Sequence, residues 1–239
     1  MKIYRQIKVF LLTLVMGVPM AQAAVTMAGK TVEQVYEDSK VVGLISAAMD
    51  GRADEVKRIA ASGVDLNAVG QDGSLPLFWA LKSRNTVGVE SLLIAGADTE
   101  KVTPQFKPFS PMALVSGGDD IGLLKLLLRY GGDANGTRAT GIKGKPLYLA
   151  ATQGRLENVK LLVEAGADVN FHDANGLSAT RGAATTGNLD VVFWLLEQGY
   201  NYDLPKLEKI VNLVNAYPNP DGAQWKAKVI DKLKAKGVN

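Results

Sequence analysis

Few residues in this chain could do chemistry. It has no cysteine, so no disulfide, thiolate metal site or thiol nucleophile can form. It has one histidine, His172. Structural zinc draws on several Cys or His ligands, which one imidazole cannot supply, and Ser–His chemistry would have to pass through His172 alone. His172 precedes Asp173 at a loop tip, where bracing the loop is the expected role rather than catalysis. Asp119-Asp120 beside Gly117-Gly118 suggest a metal site, but these residues fall in a turn between two helices and are ordinary turn formers. No glycine-rich phosphate loop, nucleophile elbow or paired-histidine motif occurs. The sequence therefore predicts no enzyme, no cofactor and no metal, and directs attention to the elements and the surfaces they carry.

The formal charge is +3, from 27 Lys and Arg against 24 Asp and Glu. Lys2, Arg5 and Lys8 lie in the first 23 residues with no acid among them, so the remaining chain carries 24 bases against 24 acids. A broadly basic surface that would draw nucleic acid or anionic lipid is not expected. The three bases precede an apolar run, Val9 to Val18, which Pro19 breaks; Ala21-Gln22-Ala23 follows with the small residues a signal peptidase needs. That order predicts a signal peptide over 1–23, cleaved between Ala23 and Ala24. The run is about half of the ~20 residues a membrane-spanning helix needs. The expected product is a periplasmic protein with no stable membrane insertion.

A glycine-ended phrase recurs down the chain, at Gly63, Gly96, Gly131, Gly166 and Gly199, with separations of 33, 35, 35 and 33 residues. Seven, four and three positions before each glycine stand mostly apolar residues: Val56, Ile59 and Ala60; Val89, Leu92 and Leu93; Leu124, Leu127 and Leu128; Val159, Leu162 and Val163; Val192, Leu195 and Leu196. This spacing gives one face of a helix, which the glycine then ends by entering the left-handed region. A second helix precedes it in each unit. Pro76, Pro111 and Pro146 suit the first turn, and Ser110 and Ser178 can cap the free amides. Small residues follow at Ala47-Ala48, Ala80, Ala150-Ala151 and Ala183-Ala184, allowing neighbouring helices to approach closely.

Together these positions resemble the ankyrin repeat, D-x-x-G-x-T-P-L-x-x-A-A-x-x-G followed by V-x-x-L-L-x-x-G-A-D-V-N. Asp173 to Asn201 and Pro146 to Asn170 carry the pattern most fully, and the resemblance covers about 41–203. It implies an all-α solenoid of about five helix-turn-helix repeats, about 41–69, 70–101, 102–136, 137–172 and 173–203. Departures stand out. Phe78, Ala113, Tyr148 and Arg181 replace the family's histidine after T-P-L, and Leu75 and Lys145 replace the capping threonine. The first unit lacks the proline. The connections before Pro111 and Pro146 are longer than the others, so the loops Lys101 to Phe109 and Gly136 to Gly144 are expected to project.

The stack needs covering at both ends. An N-terminal capping helix is expected within 24–40, where Thr31 and Gln34 resemble a capping box opening a short helix through Tyr36. A C-terminal helical cap is expected over 204–239. Leu207, Ile210, Val211 and Val214 form a stripe, Pro218-Asn219-Pro220-Asp221-Gly222 interrupts, and Trp225, Val229 and Leu233 share a face of the last helix. Trp79 is expected in the core and Trp194 against this cap. Lys226, Lys228, Lys232, Lys234 and Lys236 read as a solvated face, with a docking site for an acidic partner as the sharper alternative.

Ankyrin stacks bind through a concave face of loop tips and inner helices. By register, the resemblance places there Gln71, Asp72, Ser74, Lys82 and Ser83; Phe106, Lys107 and Phe109; Ile142, Lys143, Thr152 and Gln153; and Asn175, Leu177, Thr185 and Thr186. Phe106 and Phe109 have two possible roles: interface anchors, or rings folded back onto the neighbouring repeat. The resemblance implies a protein-binding module. It is similar to immunity proteins that block secreted antibacterial effectors, often lipases, with a periplasmic scaffold or oxidative-stress support protein as the alternative.

Overall fold

The computed structural model describes residues 26–139, 141–214 and 221–238. The leader 1–23 with its cleavage site at Ala23 and Ala24, and the interruption at Pro218-Asn219-Pro220, lie outside the described residues. The described chain is all-α, with helices arranged in successive pairs and no strand beyond two isolated bridges, Met27 with Lys30 and His172 with Ser178. Two compact units divide between Asp133 and Ala134.

In the first unit the paired helices are α1 (Ser39–Met49) and α2 (Ala53–Ala61), α3 (Pro76–Ser83) and α4 (Thr86–Ala95), and α5 (Pro111–Ser116) and α6 (Ile121–Arg129). In the second they are α7 (Pro146–Thr152) and α8 (Leu156–Glu164), and α9 (Ala179–Thr185) and α10 (Leu189–Glu197), followed by α11 (Leu204–Leu213) and α12 (Gly222–Ala235). Within each unit the first helix of a pair lies against the first helix of the next, forming an inner layer with the second helices outside.

Local chemistry sets these boundaries. Pro76, Pro111 and Pro146 open α3, α5 and α7. Ser110 Oγ accepts from the Ala113 N–H at 3.1 Å, and Ser178 Oγ accepts from the Arg181 N–H at 3.1 Å. Leu75 and Lys145 provide no side-chain cap, as expected from their types. Gly96 ends α4 at φ 101°, and its N–H returns to the Leu92 and Leu93 carbonyls. The other four phrase-ending glycines also have positive φ.

The outer helices bury the predicted stripe: Val56 and Ile59, Val89, Leu92 and Leu93, Leu124 and Leu127, Val159 and Leu162, and Val192, Leu195 and Leu196. The third position is half-exposed at Ala60, Leu128 and Val163. Two glycines fix the helix spacing by lacking a side chain. A Cβ on Gly88 would lie 1.7 Å from the Ala48 carbonyl oxygen, and one on Gly182 would lie 2.7 Å from the Tyr148 ring.

Asparagines ending one repeat staple the turn of the next. Asn67 Oδ1 accepts from the Asp98 N–H at 2.8 Å, Asn135 Oδ1 from the Asp168 N–H at 2.9 Å, and Asn170 Oδ1 from the Asn201 N–H at 2.9 Å. Asn135 and Asn170 also donate to the Gly166 and Gly199 carbonyls. At the corresponding place Glu100 stands instead, and its Oε1 accepts from the Asp133 N–H at 3.3 Å.

The ends differ in part from expectation. The N-terminal cap is a single 3-10 turn, Val32–Gln34, rather than an α-helix. Thr31 N–H donates to Gln34 Oε1 at 2.9 Å, but Asp38 then takes an extended conformation to cap α1 and leaves no length for a helix. At the other end Leu207, Val211, Val229 and Leu233 are buried. The Phe193 ring is seated against α12, 5.6 Å from the Trp225 ring. Residues 192, 195 and 196 face the core, which turns residue 193 outward toward α12. The lysines of α12 are partly engaged: Lys232 pairs with Glu197 at 3.1 Å, and Lys228 lies over the Trp225 ring.

Candidate partner-binding surface

In the first unit the tip between the repeats is a tight turn in which the Gly73 N–H donates to the Gly70 carbonyl, while Asp72 Oδ1 accepts from the Ser74 N–H at 2.9 Å. Gln71 is exposed and its Nε2 donates to Glu37 at 2.9 Å. Ser74, placed on the accessible face by register, is instead fully buried. Its hydroxyl accepts from Trp79 Nε1 at 2.9 Å, and its carbonyl accepts from the Tyr36 hydroxyl at 2.7 Å. A buried indole N–H needs an acceptor, and Ser74 supplies it. Burial pushes the Tyr36 hydroxyl well above the usual tyrosine range.

The loop 101–109 does not project. Thr103 Oγ1 donates to the Gly73 carbonyl at 2.7 Å, Phe106 stacks on Phe78 with ring centroids 4.7 Å apart, and Phe109 is buried. Of the two roles open to these rings, the fold takes the inward one. Phe109 leaves water, Phe106 lies half-buried on Phe78, and the backbone oxygen of the preceding turn gains a donor. Lys107 alone of the three named loop residues is exposed. Lys82 and Ser83 are half-buried on α3; Ser83 Oγ donates to the Ala80 carbonyl, and desolvation lowers the Lys82 ammonium pKa from its ordinary value.

In the second unit Ile142 also turns inward, contrary to its expected place on the accessible face. A 3-10 turn, Ile142–Gly144, carries it into a shallow cleft lined by Leu147, Tyr148, Ala167 and Phe171, the apolar environment its side chain requires. Lys143 beside it is exposed, and Lys145 Nζ lies 4.5 Å from the Phe171 ring centroid. Gln153, Asn175, Thr185 and Thr186 are exposed, while Thr152 and Leu177 are half-buried. Thr152, Thr185 and Thr186 bond back to helix carbonyls four residues earlier, so their hydroxyls are partly satisfied. Asp173 Oδ1 accepts from the Asn175 and Leu177 N–H groups and fixes the loop tip. His172 braces that tip: its ring stacks on Tyr202 at 3.6 Å, and Nδ1 lies 3.0 Å from the Asn170 carbonyl.

Sequence reasoning missed the contribution of Arg181 and Tyr202. In the sequence Arg181 stands out only as a replacement for the family's histidine. The available signal was a charged side chain among small apolar neighbours on an inner helix, Ala179, Gly182 and Ala183. The Asp119-Asp120 pair works as turn chemistry, with Asp120 capping α6 and Asp119 pairing with Arg84 at 2.7 Å. Among the described residues no group of three His, Asp or Glu side chains could hold a metal, and no helix is long and apolar enough to cross a membrane.

These paired helices with stapled turns define the ankyrin-repeat class. The family model described as ankyrin repeats (3 copies) matches residues 112–206. The chain is similar to the ankyrin repeat protein YahD of Escherichia coli, 31% identical over 134 residues, covering 56% of this chain and 64% of YahD. It is similar to the ankyrin repeat and KH domain-containing protein mask-1 of Caenorhabditis elegans, 30% identical over 70% of this chain and 6% of that protein. It is similar to human Neurogenic locus notch homolog protein 2, 27% identical over 66% of this chain and 6% of that protein. The chain thus spans less than two thirds of these relatives. Residues 112–206 carry ankyrin repeats, and ankyrin repeats are protein-binding modules.

Proposed function

We propose that this chain is an exported immunity protein that binds and blocks a secreted antibacterial effector such as a phospholipase. The observation that carries the reading is a rigid set of stapled repeats presenting a mostly uncharged polar surface, combined with a leader that has the order of an export signal. Occlusion needs no chemistry from the chain itself. It needs loop tips held still by a scaffold, and the turn at Asp173 with its exposed neighbour Asn175 is such a tip. With Phe106 and Phe109 turned inward, the proposed contacts pass to exposed residues: Gln71 and Lys107 in one unit, and Lys143, Gln153, Asn175, Thr185 and Thr186 in the other.

The test combines a gene deletion with an inhibition assay. Cells lacking the protein should become sensitive to an effector encoded beside its gene, and the purified chain should suppress that effector's activity at a stoichiometric ratio. Unchanged fitness beside effector-armed kin, with new sensitivity to peroxide, would replace this reading with the stress-support role. N-terminal sequencing of the product should give Ala24 as its first residue; a start at Met1 would remove the periplasmic placement.

A further inference from the structure

We infer that Arg181 is a receptor for a carboxylate from an acidic segment of the protein partner, with the Tyr202 hydroxyl beside it. The inference rests on the protein-binding reading above and adds the chemistry of one contact.

The residue is 8% exposed, so the guanidinium is largely out of water. It has one hydrogen-bond acceptor, a neutral one: Nη1 donates to the Gly176 carbonyl. Nε is buried and meets no acceptor, and no acidic side chain among the described residues pairs with this cation. The only other buried side-chain polar atom in that position among the described residues is Thr180 Oγ1, on the adjacent residue. Buried charges are ordinarily paired, because desolvation penalises a lone ion heavily. An arginine held this way lacks the anion that its planar fork is shaped to bind.

The surroundings point to where that anion enters. Gly176 sits at φ 70°, and a Cβ placed there would lie 2.9 Å from Arg181 Nη1 and 2.9 Å from the Tyr202 hydroxyl. The two donors therefore stand over the same side of Gly176 at the loop tip, next to exposed Asn175. Tyr202 is held in place by the stacked His172 ring. Ser178 and Tyr200 are buried and bond to each other at 2.9 Å. A single guanidinium with one hydroxyl matches a monoanion. A phosphoryl dianion would leave a charge uncompensated in a largely dry place.

The full chain, labelled with 15N and 13C, is titrated with a capped peptide of alternating Asp and Gly, and with its Asn counterpart. The Arg181 Nε–Hε resonance should move with the acidic peptide at a Kd on the order of 1 mM and stay still with the Asn peptide. Arg181→Gln should weaken that binding by about ten-fold, and Arg181→Lys, which keeps the charge without the fork, by less. No movement, or equal movement with both peptides, overturns the inference, as does displacement by inorganic phosphate with no response to the acidic peptide. A second readout is thermal stability. Arg181→Met should melt at the same temperature as the parent or higher, because the unpaired buried charge is gone. A lower melting temperature would make Arg181 a structural brace of Gly176 and overturn the receptor role. If the acidic peptide fails while the native effector still binds, this contact is wrong and the binding function stands.

Discussion

A missing side chain sets the distance between α1 and α4. The Gly88 Cα faces the Ala48 backbone so closely that a methyl group would overlap its carbonyl oxygen, at 1.7 Å. Backbone cannot swing aside as a lysine tip can, so Gly88→Ala should cost about 3 kcal/mol or more, read as a lower urea midpoint with an unchanged slope. Asn170 acts by what it adds: one accepted and one donated bond to the following turn. Asn170→Ala should cost about 1–2 kcal/mol, whereas Asn175→Ala at the exposed tip should change stability little. Tyr36 gives a pH signature. Burial raises its folded-state pKa, so the folded chain holds that proton more tightly than the unfolded chain. The associated stability is fully present below the unfolded tyrosine value near pH ~10 and is lost as pH rises through the higher folded value. Tyr200 shifts the same way, with burial as the first cause. Tyr36→Phe should therefore cost about 1 kcal/mol at neutral pH, where the bond to the Ser74 carbonyl is lost. Above pH ~10 its stability should fall less steeply than the parent's, which a series of urea melts would show.

At the scale of elements, the regular parts were legible and the irregular parts were not. The stripe ending in Val159 and Leu162 and the glycine at 166 specify an outer helix and its stop through spacing alone, because both depend on the chain's own periodicity. The serines at 110 and 178 announced their caps for the same reason. The conformation of the loop 101–109 depends on a distant carbonyl, that of Gly73, and on the Phe78 ring, neither of which local pattern reveals. Register places Ser74 at the surface, and only the fold brings Trp79 and Tyr36 onto it. The exposure of Gln71, Lys107, Lys143, Gln153, Asn175, Thr185 and Thr186 follows from register, while the inward turn of Phe109 and Ile142 requires the fold. The last helix, α12, closes the outward face of α10 through Trp225, Val229 and Leu233. Truncating the wholly buried Leu233 to Ala should cost about 2–4 kcal/mol in the second unit. If calorimetry found no loss, α12 would not be holding the cap closed.

For the whole molecule, order is built from neighbour to neighbour. The staples join residues about one repeat apart, from Asn67 to Asp98, Asn135 to Asp168 and Asn170 to Asn201, and hydrogen bonds of longer sequence reach stay close to that span. Stability in such a fold is the sum of each repeat's own folding and its contact with the next, so protection should be graded along the chain rather than uniform. Within the second unit, α7 and α9 lie closest, because Gly182 leaves room for the Tyr148 ring and Ala183 and Ala184 are fully buried. Within the first, α3 is buried along most of its length, and the residues after the 3-10 turn at Val32–Gln34 are tied to the next turn through Val35 and Tyr36. Deuterium uptake followed by mass spectrometry should find α3, α7 and α9 slowest, and the start of α11 fastest. This ordering bears on function, because a recognition surface works only if the helices beneath its loop tips stay closed on the timescale of binding. Uptake that proceeds at one common rate through all the helices would mean a single cooperative unit, and the repeat-by-repeat account of how the loop tips are held would have to be abandoned.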